Sequence, residues 1–128
     1  MLFVYGSNEQ GKNFGGAAKV AQEKHGAQWG KGFGRQGNSF AIPTVSGPTG
    51  EPGVEISFDT LKFYIDCFLL YATQHPELEF QVTRIGCGLA GWKDEVVAPL
   101  FVNAPANCTF DTLWTPYLPA GTRYWGTF

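Results

Sequence analysis

The chain has 128 residues, of which 44% are hydrophobic, 16% aromatic and 16% charged, a size and balance that fit one globular domain and exclude a disordered tail or a coiled coil. The formal net charge of -2 gives no global attraction for nucleic-acid phosphates, which disfavours a DNA or RNA duplex as partner. The charge is uneven, because residues 1–45 carry five basic side chains against two acidic ones, and also nine of the seventeen glycines.

Leu2 to Tyr5 is a wholly apolar run that stops at Gly6-Ser7-Asn8, the pattern of a buried strand entering a turn. After a loop with Gly11, Gly15 and Gly16, residues 16–25 have helix-forming composition and a stop at Gly26. Ala17, Ala18 and Ala21 let that helix approach a strand closely. Residues 27–37 are rich in glycine, aromatic and basic side chains without an apolar period, which reads as a loop or extended arm. Asn38 to Ile42 alternates towards Pro43, and the Gly/Pro-rich stretch 46–53 reads as a long loop. A second helix is expected from a cap at Ser57 or Asp59 to Gln74, stopped by His75-Pro76. Phe58, Leu61, Ile65, Phe68, Leu69 and Ala72 form its stripe, widened by Phe63, Tyr64, Leu70 and Tyr71, so that more than one face calls for cover by the sheet or by a second subunit. Glu79 to Ile85 alternates as a strand ending in Gly86-Cys87-Gly88-Leu89-Ala90-Gly91. A third helix is expected over 93–102, capped near Asp94 and bent or shortened at Pro99, and a last strand over 107–113. This order gives an α/β/α three-layer fold with a mixed, mostly parallel sheet. Residues 115–128 are Pro- and aromatic-rich without periodicity, and are expected to pack on the domain or on a partner subunit.

Cys67, Cys87 and Cys108 are odd in number and lack CxxC spacing, which suggests neither a disulfide framework nor a metal site. The longest apolar stretch, around Phe63 to Ala72, is too short for a bilayer, so no membrane partner is expected. The start lacks a secretion pattern, and a cytoplasmic location is the working expectation. Two glycine-rich loops each follow a strand and precede a helix, the position where open α/β sheets bind ligands. Glycines admit oxygen atoms to the backbone, and unpaired N–H groups with a helix dipole stabilise a phosphate without a cationic side chain. Two such loops suit a diphosphate.

The pair GSNEQGKNFGGAAKVA and VTRIGCGLAGWKDEVVAPLF resembles a macro domain, and more closely a small group of bacterial and phage macro-like proteins with a QGNSFAIPT-type strand and an IGCGLAGWK loop. The resemblance spans residues 2–114, a macro-like nucleotide-binding domain, with 115–128 outside it. Macro domains bind ADP-ribose and its relatives, and some remove ADP-ribose from proteins. The resemblance implies that Asn8, beside Ser7, contacts the ribose near the reaction centre and that Gly15, Gly16 and Ala17 flank the pyrophosphate. It places Gly86, Cys87, Gly88, Leu89, Ala90 and Gly91 in the second phosphate loop, with Trp92 near a ribose. The acid of the hydrolytic subgroup is unmatched, since Ala17, Ala18 and Lys19 fill its stretch, and no Glu-Glu pair follows the first loop. Non-catalytic binding of ADP-ribose, a cyclic ADP-ribose isomer or His-ADP-ribose is therefore expected, with no cofactor. Related nucleotides include immune signals made from NAD by TIR-domain enzymes, which phages sequester with small proteins, so an anti-defence sponge is one implied use. The alternative is a hydrolase whose water is held by Asn8 and the ligand phosphate; a third reading is an interaction protein with vestigial loops.

Phe14, Trp29, Phe33 and Trp92 are candidates to stack on a base, against the plainer role of packing. Gln36 and Asn38 could read a base edge or ribose hydroxyl, or close a turn. Arg35 or Lys12 could meet phosphates or remain solvated. His25 is expected to face the helix dipole and His75 to sit in a turn. Cys87 reads as a small loop residue, and Asp94-Glu95 as cap and first turn. A homodimer is the expected form of any self-association.

Overall fold

The computed structural model describes residues 1–128. Strand β1 (Leu2–Asn8), helix α1 (Gly16–Lys24), strands β2 (Gly34–Gln36) and β3 (Ser39–Val45), helix α2 (Phe58–Gln74), strand β4 (Phe80–Val82), helix α3 (Asp94–Val97), strand β5 (Cys108–Asp111) and strand β6 (Tyr124–Gly126) follow in chain order, with 3₁₀ turns at Ala98–Phe101 and Thr112–Tyr117. The six strands form one sheet in the order β2-β3-β1-β4-β5-β6. Only β2 runs antiparallel to its neighbour, so the fold is α/β with a mixed, mostly parallel sheet.

β1 lies between β3 and β4, with Phe3 opposite Ser39 on one side and Leu2 opposite Phe80 on the other. Pairing with β3 carries it through Gly6-Ser7-Asn8, past the stop expected at Tyr5, with a register shift at Ser7/Asn8. Alternation then divides the core. Leu2, Val4, Phe40, Ile42, Phe80, Val82 and Phe110 face α2 and α3, where Leu61, Ile65, Phe68, Ala72, Val97, Phe101 and Trp114 meet them. Phe3, Tyr5 and Ala41 face α1, whose Ala18 and Ala21 admit close approach. α2 opens at Ser57, whose Oγ accepts the N–H of Thr60 at 3.0 Å. Its Leu61-Ile65-Phe68-Ala72 stripe is fully buried, Tyr64, Leu69 and Tyr71 are half-buried beside it against the core, and Phe63 and Leu70 stay exposed.

Several expectations are corrected. The arm over 27–37 contains the edge strand β2, which pairs with β3 through three residues only and so shows no apolar period. β3 runs through Pro43 to Val45 because β2 ends opposite Ala41, leaving no ladder partner there for the missing proline N–H. β4 stops at Val82, where Thr83 donates to the Val4 carbonyl at 3.1 Å and the chain turns. The third helix is a single turn that follows Lys93 without a side-chain cap and passes into 3₁₀ geometry at Ala98-Pro99. β5 ends at Asp111 because its carboxylate accepts Leu113 N–H at 2.9 Å and starts a 3₁₀ turn. The aperiodic tail adds β6, Phe110 pairing with Tyr124, and Trp125 Nε1 donates to the Val82 carbonyl at 2.9 Å.

The arm packs backbone to backbone on the β1–α1 loop. Gly30 N–H reaches Gly11 O at 2.9 Å, and Ser7 Oγ donates to Gly32 O. A Cβ on Gly32 would lie 2.4 Å from the Asn8 carbonyl oxygen, whereas one on Gly88 would meet nothing within 4 Å. Gly32→Ala is therefore expected to cost about 2 kcal/mol or more in a denaturant titration, and Gly88→Ala about 0.5 kcal/mol or less.

Candidate functional site

Parallel pairing places the ends of β1, β3, β4 and β5 along one edge, and a cavity of about 370 Å³ opens there. Ser7, Asn8, Phe14, Gly15, Gly16 and Ala17 line one wall, and Gly86, Cys87, Gly88, Leu89 and Ala90 the other. The walls nearly touch, since a Cβ on Gly15 would sit 3.3 Å from Leu89 Cδ1. Gly91 and Trp92 lie outside, bordering a smaller depression with Glu55 and Ile56. Gln36 and Asn38 are also outside. Gln36 is buried, accepting Gln28 N–H at 2.7 Å and donating to Lys31 O at 2.8 Å, so it locks the arm instead of facing a ligand. Asn38 turns the β2–β3 hairpin through its backbone, donating to His25 O at 3.0 Å and accepting from Phe3 N at 2.9 Å.

The chemistry of the cavity is mainly that of its backbone. α1 has no side-chain cap and no acidic residue in its first turn, so the N–H groups of that turn and the positive end of the dipole are uncompensated. In the facing loop, Cys87 N–H bonds Arg84 O at 3.0 Å, Gly91 N–H bonds Gly88 O at 3.1 Å and Trp92 N–H bonds Gly86 O at 2.9 Å. These bonds shape the loop and leave the N–H groups of Gly88, Leu89 and Ala90 without a protein acceptor. Gly86 has φ +74, and its missing Cβ makes room for Trp92. Trp92 Nε1 in turn donates to Thr44 O at 2.9 Å, which pins the loop to β3.

The side chains are mostly committed. Asn8 donates to Lys12 O at 2.9 Å and accepts from Gln10 N and Lys12 N at 3.1 and 3.0 Å, so its amide folds the first loop. Burial, then the neighbouring Asp94 carboxylate, pushes the Cys87 thiol up to about 12. Arg84, at the cavity wall, forks onto Asp94 at 2.7 and 2.6 Å. Trp114 Nε1 donates to the same carboxylate at 2.7 Å, so Asp94 acts as a clasp and not as the expected cap. Phe14 lines the cavity with its ring edge-on to Trp29, centroids 4.9 Å apart. Phe33 packs on Phe40 at 5.5 Å. His25 stacks on Phe3 at 4.3 Å, and burial, with Lys24 nearby, lowers its pKa, so the neutral ring is favoured over the expected dipole contact. Sequence reasoning missed Thr44, Pro48, Thr49, Thr83, Arg84, Asp111 and Phe128 as cavity residues; Thr44, Thr83 and Arg84 are signalled only by their places at or just past the ends of β3 and β4, and the others by nothing in the sequence.

No helix is long and apolar enough to cross a membrane. Comparison of the chain with protein-family models, curated proteins and solved structures finds no match.

The Arg84 guanidinium, followed by the Trp114 indole, holds the Asp94 carboxyl below its ordinary value of 3.8. A depressed folded pKa means that this stabilisation is complete above the unfolded value and lost as pH falls through the folded one. Asp94→Asn is expected to lower Tm at neutral pH and to make Tm fall less between about pH 4 and pH 2, by differential scanning calorimetry across that range. The protonated Cys87 thiol is expected to resist iodoacetamide at pH 8 in the native protein and to react on unfolding, as mass spectrometry of the labelled peptides will read.

Proposed function

We propose that this cavity binds an ADP-ribose-type nucleotide and holds it without turnover. The carrying observation is that two segments with unpaired N–H groups, the uncapped start of α1 and Gly88–Ala90, both line one cavity. Together they offer neutral donors to a linked pair of phosphates, and the start of α1 adds its dipole. Lys12 at the wall supplements them, while the Arg84 guanidinium is held by Asp94. The resemblance of both loops to macro domains selects ADP-ribose, cyclic ADP-ribose isomers and His-ADP-ribose among diphosphates. Non-catalytic use is favoured because the Asn8 amide is occupied by its own loop and the Cys87 thiol is held protonated. Sequestration of an NAD-derived signal in a host cytoplasm, as a phage anti-defence protein, is the use this reading favours.

Calorimetric titration with these three ligands tests it, and at least one is expected to bind with 1:1 stoichiometry per chain. Recovery of intact ligand after heating the complex supports holding, and chromatographic conversion by catalytic amounts of protein would establish the hydrolase instead. Gly88→Asp is expected to weaken binding about a hundredfold with an unchanged melting temperature, because a carboxylate enters the anion site while the backbone there is unstrained. Unchanged affinity would remove the second loop from the site.

A further inference from the structure

The smaller depression beside the main cavity has a volume of about 300 Å³, an apolar lining from Val45, Ile56 and Trp92, and one charged side chain, Glu55. Val45 and Ala90 line both spaces, so the two adjoin, and Trp92 stands at the partition. The pyrrole side of its indole is turned to the main cavity. Nε1 donates to Thr44 O at 2.9 Å, and Cδ1 lies where a Cβ on Gly86 would come within 2.9 Å. Thr44 and Gly86 are main-cavity residues, which leaves the six-membered ring for the depression. Glu55 sits in a short segment anchored at both ends. Val54 O accepts Ser46 N–H at 2.7 Å and Ser46 Oγ–H at 3.2 Å, and Ser57 caps α2. The Glu55 side chain itself is exposed and forms no ion pair. An aromatic face and a free carboxylate in one apolar depression fit a planar cation, which gains from the ring quadrupole and from the opposite charge together. A neutral ring gains only from burial, and an anion is repelled.

Resting on the diphosphate reading above, we infer that the depression holds a planar cationic ring carried by the sugar at the far end of the bound nucleotide, with Trp92 as its aromatic surface and Glu55 as its counter-charge. Ala90 connects the two sites. It ends the segment whose unpaired N–H groups take the phosphates, and it also lines the depression, so a group attached one sugar beyond the phosphates stands at its edge. Gly91, next in the chain, has φ +82 and open space where a Cβ would stand, and the rim there carries no side chain to obstruct a ring. The protein then discriminates by what the anomeric carbon bears. A ligand with a cationic ring fills both spaces, and ADP-ribose fills only the first. Glu55 is the specificity-determining residue, because its charge is uncommitted, whereas the Trp92 indole is already fixed by its bond to β3.

The test uses the full chain with NAD⁺ and NADH, which share the diphosphate scaffold and differ in the charge of the nicotinamide ring, and with ADP-ribose, which lacks that ring. Calorimetry on the wild type is expected to give NAD⁺ about tenfold tighter binding than NADH. In the NAD⁺ complex the nicotinamide H2 and H4 signals are expected to move upfield in the NMR spectrum, under the Trp92 ring current. Glu55→Gln is expected to bring the two affinities together, and Glu55→Lys to invert their order. Both variants change an exposed side chain outside every helix and strand, so they test charge without a loss of folding. Equal affinities for NAD⁺ and NADH in the wild type, unshifted nicotinamide protons, a preference that Glu55→Lys leaves in place, or binding of ADP-ribose with exclusion of both dinucleotides would each overturn this inference and leave the diphosphate reading standing. Failure of all three nucleotides to bind would overturn both.

Discussion

The parallel pairing of β1 with β3 on one side and β4 on the other governs the rest of the structure. Because all three strands point the same way, the segments that leave them emerge on one edge, and two glycine loops separated by about seventy residues of sequence face each other. Residue alternation in the same strands sends Leu2 and Val4 to α2 and Phe3 and Tyr5 to α1. An antiparallel partner for β1 would have sent one loop to the opposite edge and left the start of α1 without a facing wall.

The glycines of the first third serve two different ends. Gly11 and Gly32 are demanded by the fold, since a Cβ on either would fall 2.3 to 2.4 Å from backbone atoms of the packed arm and loop. Gly15, and Gly88 in the facing loop, are not demanded in that way; the nearest neighbour of a Cβ at Gly15 is the flexible Leu89 tip, and Gly88 has open space. Glycine where the protein itself leaves room is the pattern expected where something else must approach the backbone. The basic excess of the first third plays a smaller part, as Lys19 pairs loosely with Glu23 at 3.9 Å on the surface and only Lys12 reaches the cavity.

Local signals are legible where they are strong. The Ser57 cap, the four-three-four spacing of Leu61, Ile65, Phe68 and Ala72, and the His75-Pro76 stop define α2 closely. The loops around Gly15 and Gly88 are legible because a glycine cluster after an apolar run marks the point where a buried strand gives way to a tight turn. β2 and β6 are not, because a three-residue strand at a sheet edge is held by its partner's hydrogen bonds and leaves no period of its own. Asp111 and Phe128 are silent as cavity residues for a related reason. Their meaning lies in a contact made by the tail with β5, and nothing in the spacing of residues 111 and 128 announces it. Gln36, Asn38, Gly91 and Trp92 mislead in the other direction, standing beside the right segments with their side chains or backbone turned to holding the arm, hairpin or loop.

The cavity draws its walls from segments between residues 6 and 18, 44 and 49, and 83 and 90, together with Asp111 and Phe128, so it needs nearly the whole domain to be assembled. Thr83 bonds the Val4 carbonyl through both its N–H and its Oγ1, a contact across 79 residues whose loop-closure entropy must be met before it stabilises the domain. The lining is complete only when β6 is paired with β5, because Phe128 lies just beyond that strand. Any ligand that binds only the assembled cavity stabilises the whole domain, by an amount that grows with the logarithm of its concentration relative to its dissociation constant.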